Sequence, residues 1–111
     1  MTIPLRGGVL VAAITASIAL TACSEKPGTV DPAAERGRQV YLAQCTACHN
    51  PDPALAGPLG PLVKGSSREL LEAKIVNGAY PPGYAPKRPT KLMPAQPVLA
   101  PEIPNLAAYL K

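Results

Sequence analysis

The chain contains no phenylalanine and no tryptophan, and its aromatic content is four tyrosines among 111 residues. Histidine occurs once and cysteine three times. There are no internal repeats and no runs of alternating apolar and polar residues, the mark of a half-buried strand. The formal charge is only +4, and no basic stretch is interleaved with aromatics, so nothing argues for nucleic-acid binding. A short chain without large aromatics buries little core, and domains of this size usually depend on a disulfide, a metal or a cofactor. What the chain does have is 15 prolines and 9 glycines, which favour loops over long regular elements. Something large and apolar is expected to fill the middle.

The first residues read as a targeting segment. Arg6 is the one positive charge ahead of an apolar run over residues 9–20. That length suits a signal-peptide core and is too short to span a bilayer comfortably. The run ends in Leu20-Thr21-Ala22-Cys23, which resembles the bacterial lipobox, where the cysteine is lipidated and becomes the first mature residue. An ordinary signal peptide or an uncleaved anchor is the alternative. Lipidation of Cys23 also settles the odd cysteine, since an unpaired thiol is unusual in an oxidising compartment. The expected division is a lipoprotein signal peptide at 1–22, a lipidated tether at 23–31 and one folded domain at 32–111, leaving a mature chain of about 89 residues. Residues 24–31 are polar and extend to roughly 27 Å at about 3.4 Å per residue. This places the domain on the periplasmic side of a bacterial membrane, with Ser24 after the cysteine leaning toward the outer membrane.

In the folded part, Asp31-Pro32 is a helix start, Asp as N-cap and Pro at the first helical position. A helix over residues 32–44 follows, with Gly37, Val40, Tyr41 and Gln44 on one face. Residues 50–65 form a loop. Ser66-Ser67-Arg68-Glu69 fits a capping box, with Ser66 as cap and Glu69 reaching back; a second helix then spans residues 67–77 and stops at Asn77-Gly78. Residues 79–101 carry seven prolines and are expected to contain neither helix nor inner strand. A loop of that length in a small domain needs a function. Residues 102–110 make a short amphipathic helix whose firm start is near Pro104. The class is all-α with long loops.

The chemistry sits at Cys45-Thr46-Ala47-Cys48-His49, a C-x-x-C-H motif and the attachment signature of c-type haem. Two thiols three positions apart on a helical turn can each add to one haem vinyl group, and the next residue then lies beneath the macrocycle. The rival readings are a redox disulfide, which needs a strand-helix context, and a closed zinc site, which wants four nitrogen or sulfur ligands where this chain offers three. His49 is the only imidazole for the iron. Met1 leaves with the leader, so Met93 is the sole thioether for the opposite face, inside the Pro-rich loop. The bland alternative is a gap-filling methionine. Lys64, Lys74, Lys87 and Lys91 are rivals only if deprotonated, which is costly near neutral pH.

Over residues 32–111 the chain resembles a class I cytochrome c of the short bacterial mono-haem kind. Gly37 and Tyr41 stand where that family has a glycine and an aromatic that pack against the last helix, here residues 105–110. Gly60-Pro61-Leu62-Val63-Lys64-Gly65 resembles the family's G-P-x-L-x-G segment, which implies that the carbonyl of Pro61 accepts a hydrogen bond from His49; Gly57-Pro58-Leu59 is a competing match. Met93-Pro94 resembles the family's axial methionine. The resemblance implies three to four helices and long Pro-rich loops around one covalent haem c, held by Cys45 and Cys48 with His49 and Met93 on the iron. A shell of Val40, Tyr41, Leu59, Leu62, Leu71, Ile75, Leu92, Leu106 and Tyr109 is expected to exclude water. The implied function is electron transport between periplasmic or membrane redox protein partners, including a membrane respiratory complex, with no catalytic residue. The alternatives are a haem enzyme or gas-binding sensor with displaceable Met93, and a haem-free lipoprotein with Cys45 bonded to Cys48. Lys64, Lys87, Arg88 and Lys91 are expected to form a docking rim for an acidic partner, and Tyr80 and Tyr84 to hydrogen-bond a haem propionate or pack.

Overall fold

The computed structural model describes residues 28–111, together with Thr2 and Gly7. The expected leader, Cys23 and most of the tether lie outside the described residues.

Helix α1, Pro32–Gln44, starts where its local chemistry dictates. The Asp31 side chain accepts from the Ala33 amide at 2.9 Å, and Pro32 occupies a position whose missing N–H is not needed. Gly37, Val40 and Tyr41 are buried. Gln44, expected on the same face, is exposed, because the helix ends there and the chain turns at Cys45.

Helix α2 is short, Arg68–Leu71, and its cap is Ser67 rather than Ser66. The Ser67 hydroxyl accepts from the Leu70 amide at 3.1 Å, while Ser66 donates its hydroxyl to the Val63 carbonyl at 2.6 Å. Ser66 closes a turn containing Gly65 at φ +82°, so the helix begins one residue later and Glu69 has no box to complete. The expected helix over 67–77 also changes winding: Glu72–Val76 is a π turn. The Ala79 amide bonds the Ala73 carbonyl at 3.0 Å, and the Ile75 carbonyl, which an α ladder would offer to Ala79, accepts instead from the Gln96 amide at 2.6 Å. Tertiary bonding to the Pro-rich segment therefore overrides the α pattern.

That segment is not free of helix. Pro97–Glu102 forms a 3₁₀ turn that buries Leu99. It leads into α3, Ile103–Tyr109, one residue ahead of the expected firm start, since Pro104 in a first turn forfeits no intrahelical bond. No strand occurs among the described residues.

The architecture turns on the crossing of α1 and α3. A Cβ on Gly37 would run into the Asn105 carbonyl and come within 2.9 Å of the Tyr109 Cβ. Only a glycine lets the two backbones approach this closely. Around the crossing lie Tyr41 and Leu106, the most deeply buried side chains, with Val40, Leu71, Ile75, Leu99, Ile103 and Leu110. The rings of Tyr41 and Tyr109 meet at 5.6 Å, tilted by 49°. Each fully buried side chain of this size stabilises by roughly 1.5–3 kcal/mol. Outside the core, the Arg36 guanidinium bonds the Glu102 carboxylate at 3.1 and 3.2 Å, tying α1 to the end of the 3₁₀ turn that leads into α3.

Leu59, Leu62 and Leu92 are not part of this core. They are 50%, 40% and 65% exposed and stand on the wall of a cavity beside it. The expected apolar shell is thus two structures, a side-chain core between helices and a separate apolar wall.

Two outcomes follow. Gly37→Ala should lower the unfolding free energy by about 1–3 kcal/mol, the range for overpacking a tight contact, measured by denaturant titration. Glu35 is held by Arg38 at 2.8 and 2.9 Å, which brings its carboxyl down from the usual 4.5 to about 2. A depressed acid stabilises above its unfolded value, and that contribution is lost as pH falls through the folded one. Stability followed by circular dichroism should therefore decline slightly between pH 4.5 and 2, a small loss because the pair is exposed, and Glu35→Gln should remove it.

Candidate functional site

The wall of the cavity is built from the residue types that the motif supplies. Its volume is about 380 Å³, within the roughly 300–1,000 Å³ of small-molecule and cofactor sites. It lies between the end of α1, the loop over residues 57–65, the α2 turn and the Pro-rich segment. Most of the lining is apolar.

Beyond α1 the chain makes one further helical turn. The Cys45 amide bonds Tyr41, and the Cys48 and His49 amides both bond the Cys45 carbonyl, at 3.2 and 2.9 Å. Cys45 and Cys48 thus sit three apart on one turn, both as free thiols and both lining the cavity. Burial pushes the Cys45 thiol up to about 11, so it is neutral at physiological pH. Among the described residues no three His, Cys, Asp or Glu side chains are gathered to hold a metal ion, which leaves the zinc reading without a site.

His49 is 8% exposed. Its Nδ1 lies 2.9 Å from the Pro61 carbonyl; of the two prolines open from sequence, Pro61 is the one in place. A carbonyl can only accept, so Nδ1 carries the proton and donates. Nε2 keeps its lone pair, the form in which imidazole binds metal. Two glycines make room. A Cβ on Gly60 would strike the His49 ring, and one on Gly57 would come within 2.7 Å of the Asn50 amide. Leu59 and Gly60 donate their amides to the Cys48 carbonyl at 3.3 and 2.9 Å, drawing this loop against the motif. The Tyr41 hydroxyl donates to the Asn50 carbonyl at 2.6 Å, and burial pushes that phenol up to about 12.

Met93 lines the same cavity from the Pro-rich segment and packs against the core cluster. Of the rival amines, Lys74 and Lys87 also line the cavity while Lys64 and Lys91 do not, and Lys64, Lys74 and Lys87 are engaged within the chain. Lys64 donates to the Lys111 carbonyl at 2.8 Å, Lys87 to the Leu62 carbonyl at 3.0 Å, and Lys74 lies 4.3 Å above the Tyr80 ring. Lys91 is exposed and does not line the cavity. Of the expected docking rim, then, Lys64, Lys87 and also Arg88, at 3.4 Å from the Gly57 carbonyl, are engaged within the chain. Tyr80 and Tyr84 stack on each other at 5.3 Å on the cavity rim.

The donor set fits a covalently held haem: two thiols on one turn, one imidazole with its proton fixed away from the cavity, and a thioether on an apolar wall. Sequence reasoning missed the tyrosine bond to Asn50 and the demand for glycine at 57 and 60. The Gly57-x-x-Gly60 spacing was visible, but only the folded loop shows what presses on it.

Residues 34–111 match the family model described as Cytochrome c. No curated protein and no solved structure matches the chain. Gly60→Ala should displace the His49 ring and lower the yield of haem-loaded protein severalfold, read from haem absorbance per polypeptide, while Val98→Ala, at an exposed position outside the cavity, should load normally.

Proposed function

Because this chain belongs to the cytochrome c family and so binds a covalent haem c and transfers electrons through it, we propose that it is a membrane-tethered mono-haem carrier rather than an enzyme. One observation supports this reading above the others: His49 and Met93, an imidazole and a thioether, border a single apolar cavity with the thiol pair. With both donors engaged, no coordination position is left open for a substrate.

Haem, when bound, supplies one-electron exchange between ferrous and ferric iron, and imidazole with thioether raises its potential. The chain's own residues do the rest. Cys45 and Cys48 hold the group through thioether bonds. The Pro61 carbonyl fixes the orientation and raises the basicity of His49. Met93 would supply the second donor to the iron, and Leu59, Leu62 and Leu92, on the cavity wall, would keep water from the haem. Ligands held in place in both oxidation states keep rearrangement per electron small.

In this reading Cys23 carries the lipid, and the domain works on the periplasmic face of the membrane, outer rather than inner on the strength of Ser24. Its donors are of the class of quinol-oxidising complexes or periplasmic dehydrogenases, and its acceptors are terminal oxidases or reductases. A place as a subunit of a respiratory complex fits the same site.

The test is made on full-length protein matured with the haem attachment machinery. Mass spectrometry should show one added haem, the reduced protein should resist CO, and the midpoint should be positive. Rapid CO uptake by the wild type would transfer the protein to the gas-binding or enzymatic class. Met93→Ala should admit CO and lower the midpoint by on the order of 100 mV, a fraction of the roughly 0.8 V that axial ligands control. Cys23→Ser should move the protein from the membrane to the soluble fraction.

A further inference from the structure

The two walls that carry the axial donors are cross-linked by side chains that neither the motif nor the function accounts for. Loop 57–62 is the wall of His49, since the Pro61 carbonyl holds the ring and Gly60 lies against it. Residues 79–96 are the wall of Met93. Between them, Lys87 donates to the Leu62 carbonyl at 3.0 Å and Arg88 donates to the Gly57 carbonyl at 3.4 Å. Both side chains also line the cavity. The two acceptors flank the Gly60-Pro61 pair that sets the imidazole. The same segment is anchored at its other end, where Lys74 of the π turn lies over Tyr80 and Tyr80 stacks on Tyr84.

We infer that Lys87 and Arg88 are positioning residues for electron transfer: they brace the methionine-bearing segment against the histidine-bearing loop and so keep Met93 at the iron and solvent out of the cavity mouth. The inference rests on the axial assignment of His49 and Met93. Its physical basis is the geometry of a span with two anchors. Five prolines stiffen the segment and deny it a backbone ladder of its own, so its distance from the facing loop depends on side-chain bonds. A cationic donor on a backbone carbonyl is among the stronger bonds available. Because the acceptor is a neutral carbonyl, the brace should be nearly independent of ionic strength, unlike an ion pair at the surface.

The experiment compares full-length haem-loaded wild type with Lys87→Met/Arg88→Met and with the single variant Lys87→Met, which serves if the double variant loads poorly. Lys87→Arg, which keeps a donor, is the rescue. Three quantities are read in low and in high salt: the rate of CO binding to the reduced protein, the midpoint potential, and amide hydrogen exchange over residues 79–93. The expected result is CO binding about tenfold faster in the double variant, the scale of one hydrogen bond to a charged group, with a lower midpoint and faster exchange. These effects should be the same at both salt concentrations, and Lys87→Arg should behave as wild type. A wild type resistant to CO, with variants equally resistant and unshifted in potential, refutes the brace alone. Effects that disappear in high salt refute it too, since they assign the two cations to charge pairing. A wild type that takes up CO at once refutes the axial assignment beneath both.

Discussion

One hydrogen bond, from His49 Nδ1 to the Pro61 carbonyl, organises the rest of this site. It fixes the ring plane, and because the acceptor is a carbonyl it also fixes which nitrogen holds the proton. A lone imidazole on a flexible turn would present either nitrogen and either tautomer. Here the free lone pair is confined to Nε2. Everything around this bond serves its geometry: Gly60 leaves space for the ring, the Cys48 carbonyl draws in the amides of residues 59 and 60, and Tyr41 fastens the residue that follows the histidine. Replacing the carbonyl by an apolar group of the same shape would leave a buried N–H unpaired, a loss of about 1–3 kcal/mol as well as a freely turning ligand.

The absence of phenylalanine and tryptophan is answered in two places. At the crossing of α1 and α3 the chain compensates for small side chains by bringing backbones together, which Gly37 permits and the tilted pair of Tyr41 and Tyr109 completes. Elsewhere it does not fill its interior with side chains. Leu59, Leu62 and Leu92 line a cavity, and their burial depends on the cofactor that the family carries. Core and prosthetic group therefore contribute to one stability, and the polypeptide by itself holds only part of its apolar surface away from water.

How far the sequence could be read follows from the range of the forces involved. The start of α1 is local: an aspartate, a proline and an amide two residues on, and it lies where the pattern put it. The motif is local as well, and so are the two thiols on their turn. Pro61 against Pro58 was open, because the choice depends on which carbonyl reaches a ring 12 residues back. The shift of the cap from Ser66 to Ser67 follows from a turn at Gly65, and the π turn follows from an amide at Gln96 taking the Ile75 carbonyl. Periodicity within residues 67–77 contains neither fact. Leu92, apolar in sequence and 65% exposed in the fold, marks the same limit: composition says that a side chain avoids water, not whether protein or cofactor covers it.

The Pro-rich segment joins these points. Proline lowers the entropy of the unfolded chain, so ordering this stretch costs less than its length suggests, yet proline also removes the amides that would bond it to the rest. The amides that remain are used sparingly: Ala79 to Ala73 and Tyr84 to Pro81 ahead of Met93, Gln96 to Ile75 and Leu99 to Gln96 after it. Between Ala79 and Met93 the links out of the segment are side chains, the stack on Lys74 and the donors of Lys87 and Arg88. A methionine flanked by backbone bonds on one side and by side-chain bonds on the other is held without a helix or strand beneath it. In the proposed assignment the thioether is the weaker of the two iron donors, so the placement of the wall, more than the strength of the bond, would determine whether Met93 stays at the metal.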